Sequence, residues 1–248
     1  MMNYKFKITY DGTKYSGWQS QGNTDNTIQG KLSNVISRLT DSPVEVIGAG
    51  RTDAGVHALE MTANAHFETS LSETEIRDYL NKYLPADISI NDVVQVSERF
   101  HSRYNALGKT YKYTCYIGET KPIFNRNYVF ILNKKPDIDK MIAATEYLLG
   151  SHNFLCFCGN TKFNKSPIRT IDYVKIEKQG DYITFSYHGD GFLQNMVRII
   201  TGTLLEIGFG LRTPESIKET IASQKRKEAG FTAPACGLCL IKVDYASF

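Results

Sequence analysis

Residues 48–58 have the composition of a reactive loop. They read Gly-Ala-Gly-Arg-Thr-Asp-Ala-Gly-Val-His-Ala and hold one carboxylate, Asp53, with Arg51 and His57 close by. Three glycines within eight positions allow sharp backbone turns and the close approach of a bulky ligand. A carboxylate held on such a loop is a candidate nucleophile or general base. The alternative is an ordinary turn aspartate that bonds nearby backbone amides.

A second candidate, Arg198, lies in a predicted helix over residues 192–207, beside an apolar face that comprises Leu193, Val197, Ile200, Leu204 and Ile207. A guanidinium is costly to bury without an anionic partner. No acidic residue lies three or four positions away in the sequence, so Asp53 is a candidate partner. The alternative is an arginine whose stem packs on the helix while its head reaches water.

Residues 99–113 interleave cations with aromatic rings, namely Arg99, Arg103, Lys109 and Lys112 with Phe100, Tyr104, Tyr111 and Tyr113. Cations that contact phosphates, beside rings that stack on bases, suit single-stranded or flipped nucleotides. The alternative is an amphipathic strand with Tyr111 and Tyr113 on one face and a basic solvent side. A further basic cluster comprises Lys162, Lys165 and Arg169.

Other reactive signatures are weak or absent in the sequence. Gly48 and Gly50 lack the third glycine of a dinucleotide fingerprint, and no Gly-Lys-Ser/Thr of a phosphate loop follows. No Gly-x-Ser-x-Gly elbow is present. Cys236 and Cys239 have metal-ligand spacing but no matching second pair. We therefore expect structural thiols and no metal site.

Length and composition limit the class of protein. A chain of 248 residues forms one large domain or two small ones. The net charge of +3 is too weak to indicate nucleic acid by itself. Five irregularly spaced cysteines, no apolar run of membrane length and no secretory signal predict a cytoplasmic protein with free thiols.

Strand-like and helix-like patterns alternate twice along the chain. The first half predicts strands over 4–10, 44–47, 61–67 and 88–96, with a helix from Ile28 and another opened by a Ser72–Glu75 capping box. The second half predicts strands over 111–117 and 238–243, a hairpin over 170–188, and helices over 137–149, over 192–207 and from Thr213. This order predicts two α+β lobes, residues 1–105 and 106–248.

Six segments in order resemble the tRNA pseudouridine synthase A (TruA) family. They are residues 10–21 (YDGTKYSGWQSQ), 50–58 (GRTDAGVHA), 100–113 with FHSRY and KTYKY, 166–171 (SPIRTI), 195–202 (NMVRIITG) and 233–240 (APACGLCL). The resemblance runs nearly end to end. Cys156, Cys158 and Lys109 stand where the family often has other residues, which bears on the tRNA contacts.

The resemblance implies a role for particular residues. Asp53 is implied as the catalytic aspartate and nucleophile, Arg198 as its ion-pair partner, and Tyr111 as the ring that stacks on the target base. Leu238 is implied as an apolar residue of the pocket, and Arg51 as a residue that helps to extrude the target nucleotide. Together with these, we predict that Arg103 and Lys109 bind substrate.

The resemblance also implies a fold and a substrate. The fold is two ferredoxin-like α/β lobes that share a central, mainly antiparallel sheet, with the active-site cleft between them. The implied enzyme is a homodimer that acts without metal or cofactor on uridines 38, 39 and 40 of the tRNA anticodon stem-loop. Asp53 would attack C1′, add to C6 or remove a sugar proton, and the sequence leaves these routes open.

Two other functions compete with this one. A non-catalytic RNA-binding module would explain the basic aromatic segment but would leave Asp53 without a role, and no RNP-type signature is present. A nucleotide-dependent enzyme would need a phosphate loop that the sequence lacks.

Overall fold

The computed structural model describes residues 1–22, 24–160 and 166–246. Lys162 and Lys165 of the predicted basic cluster therefore lie outside the described residues. The chain divides into two compact units. Unit 1 is Met1–Leu107 together with the described residues from Cys239 onward, and unit 2 is Gly108–Leu238. The division predicted from the sequence had assigned the end of the chain to the second lobe.

In unit 1, the described residues form five strands and two α-helices. Its elements are β1 (Met2–Tyr10), α1 (Ile28–Thr40), β2 (Ile47–Gly48), β3 (His57–Phe67), α2 (Glu73–Tyr83), β4 (Ile88–Val96) and the last strand of the chain, β10 (Leu238–Asp244). The strand order is β4-β1-β3-β10, and β2 pairs with β3. β1 is antiparallel to both β3 and β4, whereas β10 runs parallel to β3.

β1 lies between β4 and β3, and its period-two pattern buries one of its two faces. Tyr4, Phe6, Ile8 and Tyr10 are buried, and the residues between them are partly exposed. One face of β1 therefore forms part of the core while the other carries Lys5 and Lys7. The pairing of Tyr10 with Ala58 places the end of β1 beside the start of β3.

Caps define where the helices of unit 1 begin. The Thr27 side chain accepts from the amide of Gly30 and starts α1. The predicted capping box of α2 is confirmed, because Ser72 accepts from the Glu75 amide and Glu75 accepts from the Ser72 amide.

In unit 2, the described residues form five strands and three α-helices. Its elements are β5 (Gly108–Tyr116), β6 (Phe130–Ile131), α3 (Ile138–Thr145), β7 (Gly150–Asn153), β8 (Ile168–Gln179), β9 (Tyr182–Gly189), α4 (Met196–Gly208) and α5 (Ser216–Ser223). The strand order is β5-β9-β8-β7, all antiparallel, and β6 pairs in parallel with β5. The predicted hairpin is confirmed as β8 and β9, joined through Gly180 with a φ of 57°.

Several predicted boundaries are wrong, each for a local reason. α4 begins at Met196 and not at residue 192, because Asn195 has a left-handed φ of 59° that a helix interior does not allow. α5 begins at Ser216, so Pro214 lies in the preceding turn and not at the first helical position. β2 contains only the end of the predicted strand over 44–47, because it pairs with β3 through Ile47 and Gly48 alone.

The predicted fold class is confirmed in its coarse form. Both units are α+β, and the strand pairs are antiparallel except for β10 with β3 and β6 with β5. In the described parts of the chain, no helix combines the length and the apolar character that crossing a bilayer requires.

Candidate active site

Asp53 lies in a tight turn that leads into β3. Its carbonyl accepts a hydrogen bond from the Val56 amide at 3.1 Å. Gly55, the third residue of this turn, has a φ of 79°, which glycine adopts without steric cost. Asp53 is half-buried between the buried Thr52 and the exposed Ala54. The turn therefore fixes the backbone that carries the carboxylate.

The segment after β1 holds this loop from one side. The Trp18 amide donates to the Thr52 carbonyl at 3.1 Å, and the Gly55 amide donates to the Tyr15 carbonyl at 3.3 Å. The buried hydroxyls of Tyr10 and Thr52 bond each other at 2.8 Å. Bonds on both sides of Asp53 thus limit the movement of its backbone.

Three glycines let the two segments approach closely. A Cβ at Gly12 would lie 2.0 Å from the Val56 carbonyl oxygen, and one at Gly17 would lie 2.6 Å from the Thr52 carbonyl oxygen. A Cβ at Gly48 would lie 2.4 Å from the Trp18 indole. At Gly48, the space expected for a bulky ligand is therefore occupied by Trp18.

His57 serves the same packing. Its ring is 5% exposed, and Nδ1 accepts from the Gly12 amide at 3.1 Å. The Asp11 carboxylate also lies 3.1 Å from Nδ1. His57 thus ties the residues after β1 to the start of β3, and this gives a structural reason for its place in the loop.

A chain of amide side chains reaches Arg51. The buried Gln29 donates to the Val46 carbonyl at 2.8 Å and accepts from the Gln19 amide group at 2.9 Å. The Ser20 backbone amide also donates to Gln29, at 2.8 Å. The Gln19 carbonyl oxygen in turn accepts from Arg51 Nε at 3.0 Å. An exposed arginine is thereby connected to a buried glutamine that is hydrogen-bonded through both its amide nitrogen and its amide oxygen.

Arg51 borders a cleft of about 280 Å³, here called the Arg51 cleft, which is formed by Trp18, Gln19, Gln29, Glu45, Ile47, Gly48, Gly50, Arg51, His101, Arg103 and Tyr104. All of these residues belong to unit 1. The cleft brings together two predicted substrate-binding residues, Arg51 and Arg103. Asp53 is not among its lining residues.

Buried asparagines hold the segment that carries Arg103. Asn64 on β3 accepts from the Ser102 amide at 2.9 Å and donates to the Asn3 side chain at 3.0 Å. Asn3 donates to the carbonyls of Ser97 and Phe100, both at 2.9 Å. Asn3 and Asn64 are at most 1% exposed. This network fixes the backbone while the Arg103 side chain stays at the surface.

In unit 2, Arg198 lies in the first turn of α4. A cation there is opposed by the helix dipole, so it needs acceptors. Nε donates to the Ala233 carbonyl at 2.7 Å, and Nη1 donates to Asn195 Oδ1 at 3.0 Å. The Ala233 amide donates back to the Arg198 carbonyl at 3.1 Å. The guanidinium is therefore oriented by backbone and amide oxygens.

The segment held by Arg198 continues to Leu238, and Tyr113 also contacts it. The Tyr113 hydroxyl donates to the Pro234 carbonyl at 2.8 Å, directly after the residue that Arg198 holds. A Cβ at Gly237 would lie 2.6 Å from the Tyr113 ring. Leu238 follows at the start of β10 and is 5% exposed. Arg198 and Tyr113 together position the segment that ends at Leu238.

Tyr111 and Lys109 lie on β5, opposite β9. Tyr111 is 7% exposed and meets the Phe192 ring edge to face, with centroids 5.3 Å apart. As predicted, Tyr111 and Tyr113 are buried while Lys112 between them is exposed. Lys109 is half-buried and pairs in register with Gly189.

The cysteines are buried or half-buried thiols. Cys115, Cys156 and Cys158 are buried, and Cys236 and Cys239 are half-buried. Burial raises the pKa of Cys156 to about 12 and also raises the pKa of Cys115 and Cys236. These three thiols therefore stay protonated near neutral pH and are poor nucleophiles and metal ligands. Within the described residues, no group of three side chains could hold a metal ion.

Sequence reasoning missed the residues that hold the site. Asn64 lies on β3 between Ala63 and Ala65, on the polar face of an alternating strand, so its burial is not visible in the sequence. Gln19, Gln29 and the Tyr113 hydroxyl likewise had no signal, because their partners are distant in sequence. The roles of Asp53, Arg198, Tyr111, Leu238, Arg51, Arg103 and Lys109 stay predictions.

Comparison with known proteins identifies the family. A family model described as tRNA pseudouridine synthase matches residues 8–105 and 144–246. These two ranges include the Asp53 turn, the Arg51 cleft and the start of α4. The chain therefore belongs to the tRNA pseudouridine synthase family.

Two relatives with full-length sequence matches agree with this. The chain is 44% identical over 245 residues to a protein of Bacillus sp. (strain KSM-64) named tRNA pseudouridine synthase A, which covers 99% of this chain and all of that protein. A tRNA pseudouridine synthase A 2 of Clostridium perfringens (strain 13 / Type A) is also 44% identical over the same shares. A crystal structure of a Cbf5-Nop10-Gar1 complex aligns with 11% identity and a TM-score of 0.38, and the match covers 96% of this chain and 49% of that one.

Proposed function

We propose that this enzyme converts uridine to pseudouridine at positions 38, 39 and 40 of the tRNA anticodon stem-loop. The reaction breaks the bond between N1 and C1′, rotates the uracil, and joins C5 to C1′. The proton on C5 is lost, and N1 gains one. Since no group enters or leaves and no electron is transferred, the proposed chemistry needs neither a metal nor a cofactor.

The observation that carries this proposal is the placement of Asp53 on a rigid turn of a family member. The Val56 amide closes the turn from one side, and contacts from Tyr10, Tyr15 and Trp18 hold it from the other. A carboxylate on a fixed backbone loses little entropy when it meets the sugar or the base. We propose that Asp53 is the nucleophile, with C1′ and C6 as the two candidate electrophiles.

Three residues of unit 2 have proposed roles in addition to that of Asp53. Arg198 is the proposed ion-pair partner, which would orient the carboxylate. Tyr111 is proposed to stack on the detached uracil, and Leu238 to give the base an apolar contact. The support is that hydrogen bonds already orient Arg198 and the segment before Leu238.

Substrate binding is proposed to depend on phosphate contacts from Arg51, Arg103 and Lys109. Extruding the target nucleotide costs about a few kcal/mol, so contacts elsewhere on the RNA must offset that cost. The affinity for tRNA should therefore fall as the salt concentration rises.

We further propose that the enzyme is a cytoplasmic homodimer. Light scattering at several protein concentrations tests whether it is a dimer.

The test of the proposed reaction is Asp53→Asn, which keeps the size of the side chain and removes its charge. Turnover is followed by release of tritium from C5 of labelled uridine in tRNA. We expect turnover to fall by about 10³-fold or more while tRNA affinity changes little. Asp78→Asn, at an exposed position on α2, is the matched control and should behave like the wild type. Substantial turnover by Asp53→Asn would disprove the assignment.

The proposed ion pair has its own test. Arg198→Met removes the charge, and Arg198→Lys keeps it while losing the donor geometry that meets Ala233 and Asn195. If the charge pairs with Asp53, kcat should fall more in Arg198→Met than in Arg198→Lys. An equal kcat in both variants and the wild type would contradict the pairing.

A further inference from the structure

Tyr104 is the most exposed aromatic residue of the Arg51 cleft. Its side chain is 79% exposed, whereas Trp18 in the same cleft is 1% exposed. The His101 ring lies beside it with centroids 4.2 Å apart and an angle of 36° between the planes. Single exposed apolar residues are common and need no explanation by themselves. The surroundings of Tyr104 are what distinguish it.

The backbone beneath Tyr104 is held rigidly. His101 Nδ1 accepts from the amides of Arg103 and Tyr104 at 3.1 and 3.3 Å. The His101 amide donates to Asn105 Oδ1 at 2.7 Å. Ser102, whose amide bonds Asn64, is fully buried. An exposed ring on a fixed backbone loses little entropy when a flat partner stacks on it.

The charges around this ring favour an anionic partner. Arg51 and Arg103 line the same cleft, and among the described residues no carboxylate lies within ion-pair distance of either guanidinium. Arg51 keeps its donors on both Nη atoms for a ligand, since its one hydrogen bond within the described chain is made by Nε. Glu45 is the single acidic residue among the lining residues.

An exposed ring that shares a cleft with two arginines has the chemistry of a nucleotide site. Base stacking on an aromatic side chain is tolerant of sequence, and arginines bind the adjoining phosphates. A nucleotide inside a duplex is stacked on both faces and cannot offer either to Tyr104, so we expect an unpaired and unstacked partner. Asp53 does not line the cleft, so this nucleotide is not the one that reacts.

We propose that the Arg51 cleft binds an unpaired nucleotide next to the target uridine, with its base stacked on Tyr104 and its phosphate between Arg51 and Arg103. This site deepens the proposed function and rests on it for the identity of the RNA. Tyr104 acts here in substrate binding and not in the chemical step.

The experiment uses the full chain and two probes, a short end-labelled oligouridylate and a blunt RNA duplex. Binding is followed by fluorescence anisotropy. Tyr104→Ala should weaken binding of the oligouridylate about tenfold and leave binding of the duplex within about twofold. Tyr104→Phe should bind like the wild type, because stacking needs the ring and not the hydroxyl.

A matched control tests whether removing any exposed tyrosine weakens the binding of oligouridylate. Tyr83 on α2 is 48% exposed and also lies beside an aromatic ring, Tyr79, with centroids 4.6 Å apart. Tyr83→Ala should not change the affinity for oligouridylate. Glu45→Gln should strengthen it by a few fold, because the rim loses a charge that repels phosphate.

The single tryptophan reports the place of binding. Trp18 is the only tryptophan of the sequence and lines the cleft, so oligouridylate should change its emission in the wild type and in Asp53→Asn alike. Unchanged emission, an unchanged affinity of Tyr104→Ala, or an equal loss on the duplex would each overturn the proposal. None of these readouts requires turnover, so they fail or succeed independently of the role of Asp53.

Discussion

The Asp53 turn and the segment 97–105 belong to the same unit but are held by different means. The turn is held mainly by backbone, through glycines that let two main chains meet and through amide–carbonyl bonds such as Trp18 to Thr52. The segment 97–105 is held by the amide side chains of Asn3 and Asn64. Both arrangements fix a backbone and leave candidate functional side chains at least partly exposed.

The difference lies in what each arrangement tolerates. A contact between main chains leaves no room for a Cβ, so we expect a single added methyl group to displace the turn that carries Asp53. A network of side chains breaks when one member is removed, yet the exposed residues it supports remain replaceable. We infer that changes in the first region act mainly on kcat, and changes in the second act mainly on KM for RNA.

Among substitutions outside the proposed catalytic residues, Gly12→Ala should have the largest effect. The new Cβ would meet the Val56 carbonyl oxygen at 2.0 Å, and Val56 closes the Asp53 turn. We expect a loss of stability of about 1–3 kcal/mol and a kcat lowered about 10²-fold by misplacement of the carboxylate. Tm and single-turnover kinetics measure these effects.

Gly22→Ala is the control, because no atom lies within 4 Å of a Cβ built there. It should match the wild type in both Tm and kcat. A Gly12→Ala enzyme with a normal kcat would show that the turn does not depend on this contact.

Asn64→Leu should have the next largest effect. It leaves the buried Ser102 amide without its acceptor, at a cost of about 1–3 kcal/mol. Since Ser102 precedes Arg103 and Tyr104, we expect KM for tRNA to rise about tenfold, equivalent to about 1.4 kcal/mol. The change in kcat should be smaller.

Asn91→Leu serves as its control, since Asn91 is an exposed asparagine of β4 that bonds Thr9 at the surface. It should change neither constant. If Asn64→Leu lowered kcat more than it raised KM, the two regions would not be separable in the way we propose.

Gln29→Met should have the smallest effect. Methionine fills a similar volume but cannot bond Val46, Gln19 or Ser20. Arg51 then loses the support of its partner Gln19, and we expect KM for tRNA to rise about two- to threefold with kcat unchanged. Gln95→Met, at an exposed position of β4, is the control. A change in kcat would contradict this prediction and would indicate that Gln29 supports the Asp53 turn instead.

Much of the fold was predictable because its signals are local. The alternation of β1, the capping box of α2 and the glycine between β8 and β9 each depend on a few neighbouring residues. The errors arose where a tertiary contact decides. The left-handed Asn195 delays α4, and pairing with β3 limits β2 to two residues.

The sequence by itself determined which residues could react and to which family the chain belongs. Asp53 with Arg51, Arg198 and the basic aromatic segment are visible in composition and spacing, because chemistry depends on residue type. Only the tertiary structure showed that Gly48 makes room for Trp18, that His57 holds the Gly12 amide, and that Arg51 and Tyr104 share one cleft. These contacts join residues that are far apart in the sequence. They could not be predicted, because the local spacing of residues does not determine which distant segments meet.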